Sequence, residues 1–328
     1  MDKQATPYQG LSPERILHCV EAAGYRCNGQ LLALNSYENR VYQVGLEDAP
    51  PLVVKFYRPG RWSDAMILEE HAFTRELAAR EIPVVAPLHD GDGRSLWTVA
   101  GFRFALYPRR GGRAPELERA DDLRWLGRFI ARIHALGAVR PFEYRPRLTV
   151  HAHGREALAF ITRQQVVPEY LRAAYQAEAA PLLDELEAVF EAVGPLRSIR
   201  LHGDCHPGNI LWTDAGPHFV DFDDALMGPA VQDLWMLLSG EREEARRQLE
   251  PLLEGYGEFF DFDQRELLLV EALRGLRLIH YSAWLARRWS DPAFPRAFPW
   301  FASPRYWEEQ VQVLREQRER LAGPGLLA

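Results

Sequence analysis

Apolar and polar positions follow two different periods along the chain, and the change of period divides it. After Ser12-Pro13, a cap followed by proline at the first helical position, Ile16, Leu17 and Val20 recur at helical spacing until Gly24. Within residues 31–46 the pattern becomes strand-like, LLAL and RVYQVGL, around the polar turn NSYEN. PLVVKFY, residues 51–57, is a β-branched strand bounded by prolines. Ser63 caps a helix running to about Glu81, stopped by Ile82-Pro83. Residues 95–99 and 102–107 predict another strand pair, split at Gly101.

RRGGRAP, residues 109–115, reads as a linker, and beyond it helical spacing dominates. Leu123, Leu126, Ile130 and Ile133 share one face of a helix over 120–137. Helical patterns recur at about 154–164, 168–193, 230–239, 241–255, 263–289 and 304–321. One β-like island, residues 199–221, interrupts them. The expected fold class is therefore α+β: a strand-rich lobe over 1–108 and a mostly helical lobe over 109–328 with a short β insert. Two-lobed chains bind ligands in the cleft between lobes, so a ligand is expected there.

Composition narrows the function classes. The 328 residues carry 39 Lys plus Arg against 46 Asp plus Glu, a net charge of −7, which disfavours an electrostatic nucleic-acid binder. No apolar run is long enough for a membrane span, and the N-terminal residues lack the apolar core of a secretory signal. Three cysteines, Cys19, Cys27 and Cys205, argue against a disulfide framework, so a cytoplasmic protein is expected.

Candidate chemistry concentrates in RLHGDCHPGNILWTDAGPHFVDFDDA, residues 200–225. Ile210–Trp212 and Pro217–Val220 read as two short strands, and pairing them as a hairpin would bring Asn209 and Asp221 together. Two oxygen donors with room for water suit magnesium carried on a phosphate chain. Asp204 lies ahead of them as a candidate base; the alternative is that Asp204 and Asn209 merely cap a turn. Lys55, amid Val54 and Phe56, either points outward with Val53 and Tyr57 or pairs with a carboxylate. At about 100° per residue, Glu70 falls inside the stripe of Ile67, Phe73, Thr74 and Leu77, whereas Glu69 lies toward its edge. A carboxylate facing a core needs a cation, which makes Glu70 the expected partner of Lys55.

H-G-D-x-x-x-x-N followed by a strand ending in Asp resembles the catalytic core of the protein-kinase-like superfamily, in its aminoglycoside phosphotransferase and choline kinase branch. LNSYENRVYQV, VVKFYRPGRW, ILEEH, GPAVQDLWMLL and AWLARRWSDPAFPRAFPWF extend the resemblance over essentially the whole chain, to bacterial stress-response serine/threonine protein kinases. The resemblance implies a two-lobed kinase fold, ATP as co-substrate, Mg2+ as cofactor, protein substrates bearing Ser or Thr, and a monomer. It implies Asp204 as catalytic-loop aspartate and Asn209 and Asp221 as magnesium ligands. Lys55 would reach the ATP phosphates, supported by Glu70.

Two departures from the protein-kinase pattern stand out. The nucleotide loop has no glycines, which leaves the Ser36 hydroxyl and nearby amides as phosphate donors, or an ordinary turn. The D-F-G position reads Asp221-Phe222-Asp223, without the glycine of a flip-type switch.

Among smaller features, His134 reads as a hydrogen-bonded core histidine or a support of the catalytic loop, and His202 as a brace of that loop. Trp284, Trp289, Trp300 and Trp307 read as core or as lining of the substrate site. The competing functions are a small-molecule kinase on the same fold, a metal hydrolase using His151, His153, His202, Asp204 and His206, and a catalytically dead binding module.

Overall fold

The computed structural model describes residues 7–323. In chain order the elements are α1 (Pro13–Ala22), β1 (Cys27–Ala33), β2 (Arg40–Leu46), β3 (Leu52–Phe56), α2 (Asp64–Ala78), β4 (Trp97–Val99) and β5 (Phe102–Pro108). There follow α3 (Ala120–Gly137), α4 (Glu156–Gln164), α5 (Arg172–Val193), β6 (Ile199–Leu201), β7 (Ile210–Thr213), β8 (Gly216–Phe219) and β9 (Leu226–Gly228). The chain continues with α6 (Gln232–Trp235), α7 (Arg242–Gly257), α8 (Val270–Arg288), α9 (Ala293–Ala297) and α10 (Pro304–Ala322). The expected helix at 230–239 shrinks to the single turn of α6, and β9 is a strand that periodicity did not reveal.

These elements form two compact units. The first holds the described residues through Glu116 together with Phe142–Arg145 and His206–Ala225. Its five-stranded antiparallel sheet has the order β1-β2-β3-β5-β4. Val44, Val54, Phe56, Phe104 and Leu106 point from that sheet onto Ile16, Cys19 and Val20 of α1. Ser63 caps α2 by accepting from the Met66 amide, as expected.

The β7–β8 hairpin belongs to this unit because backbone hydrogen bonds stitch it there. Val85 donates to Phe219, Phe219 donates to Pro83, and Arg113 and Trp212 exchange bonds. Phe222 packs edge-on against Phe73 of α2, 6.0 Å between centroids.

The second unit holds Leu117–Pro141, Pro146–Cys205 and the residues from Leu226 onward. Glycines let α3 and α7 approach closely: a Cβ on Gly127 would meet the Leu252 carbonyl at 2.0 Å, and one on Gly255 the Arg124 carbonyl at 2.0 Å. The two-stranded β6–β9 sheet pairs Ile199 with Gly228. Leu182, Leu183, Leu186, Leu276, Ile279 and Trp307 lie in a core shared by α4, α5, α8 and α10. Among the described residues no helix is long and apolar enough to cross a membrane.

Candidate active site

In the first unit the β7–β8 hairpin does bring Asn209 beside Asp221. Ile210 pairs with Phe219, and the Val220 amide donates to the Asn209 carbonyl at 3.0 Å, closing the open end of the hairpin. Asp221 follows at once with φ +60°, a left-handed conformation rare for a side chain larger than glycine. Its carboxylate is half exposed, while the lysine facing it is buried.

Lys55 does not point outward. It sits on β3 between Val41 of β2 and Ala105 of β5, and its ammonium lies 2.7 Å from Asp221 Oδ1 and 3.1 Å from Asp223 Oδ1. Burial alone would push its pKa down, but Asp221 and Asp223 together raise it well above the ordinary lysine value, so it stays charged. The expected partner was Glu70, and that pairing is corrected: both ion pairs of Lys55 go to the Asp221–Asp223 segment.

Glu70 is nonetheless buried on the apolar face of α2, as its position on the wheel predicted, at 2% exposure. Its Oε2 accepts no hydrogen bond. Burial raises its pKa to about 7, and the field of Lys55 offsets only part of that. Glu69, one residue earlier, faces the loop at 143–145 and accepts from the amides of Glu143, Tyr144 and Arg145.

Asp223 is the hub of the unit. It pairs with Lys55 and Arg61 and accepts from Asn39 Nδ2 at 3.2 Å. Arg145 donates to its backbone carbonyl, and Arg61 also reaches Asp224. Burial opposes ionisation of Asp223, yet Lys55, Arg61 and Arg145 hold its carboxyl below the usual range. The Asp223 carboxylate stays charged in a buried setting because cations converge on it.

The turn before β2 is tied to the same hub. Asn39 Oδ1 accepts from the Arg58 amide at 3.1 Å, while the Ser36 hydroxyl donates to the Asn39 carbonyl at 3.3 Å. Asp223 stood out only as the residue replacing the D-F-G glycine, and Asn39, Arg61 and Arg145 were not singled out as partners of it. The only signal for Asn39 and Arg61 was their place as polar residues beside apolar strands in NSYEN and RPGRW.

In the second unit, Asp204 lies in a loop braced by buried groups. Asp233 accepts from the amides of His202 and Gly203, each at 2.8 Å, and pairs with His134 Nε2 at 3.1 Å. His134 is wholly buried and its Nδ1 lies 2.8 Å from the Tyr256 hydroxyl. It therefore serves both as a core histidine and, through Asp233, as a support of the loop. Gly203 takes φ +87°, where a side chain is strained, and its carbonyl accepts from Gln232. The His202 ring accepts from the Asp204 amide at 3.3 Å, the expected brace. Asp204 Oδ1 is held at 2.9 Å by Arg277 of α8.

The remaining candidates resolve simply. Cys205 is buried, and burial pushes its thiol pKa well up, so it is a passive loop residue. Trp307 is core, Trp284 and Trp289 pack against the same core, and Trp300 is exposed. Among the described residues no group of three or more His, Cys, Asp or Glu side chains converges as a metal cage. Asn209 and the half-exposed Asp221 still fit magnesium, which is commonly held by one or two protein oxygens plus waters and substrate phosphates.

Residues 30–268 match the model of the phosphotransferase enzyme family. The chain is 44% identical over 99% of its length, and 98% of the relative's, to stress response kinase A of Salmonella choleraesuis. The same figures hold for a Salmonella typhimurium relative named serine/threonine protein kinase RdoA. Among solved structures, an amicoumacin kinase in complex with AMP-PNP and Ca2+ superposes with a TM-score of 0.70 at 20% identity, over 95% of this chain and 96% of the other. The fold is kinase-like, and the chain belongs to the phosphotransferase enzyme family.

Proposed function

We propose that the chain is an ATP- and magnesium-dependent kinase that transfers the γ-phosphate to Ser or Thr hydroxyls of cytoplasmic proteins in a stress response. The observation that carries this reading is the Lys55–Asp221 pair, with Asn209 bonded through its backbone carbonyl to Val220, the residue before Asp221. Residues 1–108 supply the nucleotide-binding strands, and 109–328 the catalytic loop. Asn209 and Asp221 would hold magnesium, which would supply charge to neutralise the phosphates. Lys55 presents its ammonium to the phosphates, its charge secured by Asp223. Glu70 supplies negative potential behind the lysine, and the Ser36 hydroxyl, on giving up its bond to the Asn39 carbonyl, joins nearby amides in donating to phosphate oxygens. Asp204 accepts or orients the proton of the acceptor hydroxyl.

The relative named serine/threonine protein kinase RdoA supports the protein acceptor, and those named stress response kinase support the stress setting. The second reading is a small-molecule kinase, favoured by the likeness to the amicoumacin kinase fold.

Two variants test the division of roles. Asp204→Asn is expected to abolish transfer while nucleotide affinity stays near wild type. Asp221→Ala is expected to weaken nucleotide binding across a magnesium titration. Full turnover by the first, or unchanged affinity in the second, overturns the assignments.

A further inference from the structure

A cavity of about 690 Å³ opens in the second unit, walled by α8 and α10 and reaching Trp235 of α6. Its size suits a small ligand or a few peptide side chains. The charged side chains in its wall are Arg274, Arg277, Arg320 and Glu316, three cations against one anion in a chain whose net charge is −7. Arg277 is the side chain that holds Asp204.

The arginines are only partly used. Arg277 spends one nitrogen, Nη1, on Asp204, and its side chain is 45% exposed. Arg274 spends Nη1 on Glu271 at 2.7 Å, and Arg320 stands 4.0 Å from Glu241 with more than half its side chain exposed. A guanidinium carries five N–H donors in a planar fork, so each keeps donors that a second carboxylate can engage. Trp235 and Tyr306 add an apolar floor.

Resting on the kinase reading above, we propose that this cavity is an acceptor subsite that takes an acidic segment. Side-chain carboxylates near the phosphorylated Ser or Thr engage Arg274, Arg277 and Arg320. Arg277 acts as a specificity-determining residue, since it touches Asp204 and also faces the cavity. In the absence of acceptor it occupies one oxygen of Asp204. A carboxylate on the acceptor shares that guanidinium and brings the hydroxyl to the same aspartate.

The test measures kcat/KM with the full chain on three synthetic Ser-containing dodecapeptides, flanked by Glu, Gln or Lys, and on ethanolamine as the cationic alternative. The Glu peptide is expected to exceed the Gln peptide by about tenfold, the equivalent of about 1.4 kcal/mol, and the Lys peptide by more. In Arg274→Gln the KM for the Glu peptide rises several-fold, kcat changes less, and the Glu-over-Gln preference shrinks. The wild-type charge series decides the matter even where a variant folds poorly. Transfer to all three peptides at equal kcat/KM, or a preference for Lys, overturns the acidic subsite but leaves the protein-kinase reading standing. Transfer to ethanolamine and to no peptide overturns both.

Discussion

Replacing Asp223 by Asn removes one charge from the buried centre of a cluster whose outer carboxylates, Asp221 and Asp224, are about half exposed. The side chains of Asp223, Lys55 and Arg61 are 4%, 8% and 11% exposed. Lys55 keeps Asp221, and Arg61 keeps Asp224 and a longer contact to Glu38 at 3.8 Å, so compensation is partial. Taking one partner from a buried ion pair costs about 3–5 kcal/mol, and the surviving partners place this case at about 3. At about 2 °C per kcal/mol for a large domain, the variant melts about 6 °C below wild type at pH 7.

The sign of the pH dependence follows from the depressed Asp223 pKa. A carboxylate held below its unfolded value contributes stability that is present above about pH 4 and is lost as pH falls through the folded value. The gap between wild type and variant therefore narrows in acid, because wild type loses the same contribution. Thermal unfolding followed by circular dichroism between pH 3 and 8 measures both quantities. A variant within about 1 °C of wild type at pH 7, or a gap that widens in acid, refutes the hub.

Three further outcomes are expected. Glu70→Gln flattens the loss of stability that wild type shows as pH rises from about 4.5 to 7, because the folded carboxyl titrates near 7 while the unfolded one titrates lower; urea unfolding across that range checks it. Gly127→Ala and Gly255→Ala each cost about 1–3 kcal/mol by forcing α3 and α7 apart, and wild-type urea midpoints would contradict the close packing. Asp233→Ala strands the amides of His202 and Gly203, at about 1–3 kcal/mol each, and lowers kcat more than nucleotide affinity; a kcat equal to wild type counts against its support of the Asp204 loop.

Much of this was legible in the sequence, for physical reasons. Capping chemistry at Ser12 and Ser63 located the starts of α1 and α2, and helical spacing gave α3 its limits. Alternation and turn residues located β2, β3 and the β7–β8 hairpin, hence the neighbourhood of Asn209 and Asp221. The wheel correctly buried Glu70, but burial does not say which cation answers a carboxylate. Lys55 turned to Asp221 and Asp223, distant in sequence, because backbone bonds at Pro83, Val85 and Arg113 draw the hairpin into the same unit. Strand β9 stayed hidden because its three residues, LMG, have no period to read and its strand partner β6 is equally short.

The central claim is phosphoryl transfer from ATP to protein hydroxyls with Asp204 as the proton acceptor. Its most direct measurement incubates the purified chain with γ-labelled ATP and magnesium, using a generic Ser/Thr-containing protein and an amino alcohol as parallel acceptors. The label is then identified by phosphoamino acid analysis. Label on serine or threonine with wild type, and none with Asp204→Asn, is the predicted result; label on the amino alcohol alone, or equal labelling by the variant, contradicts it.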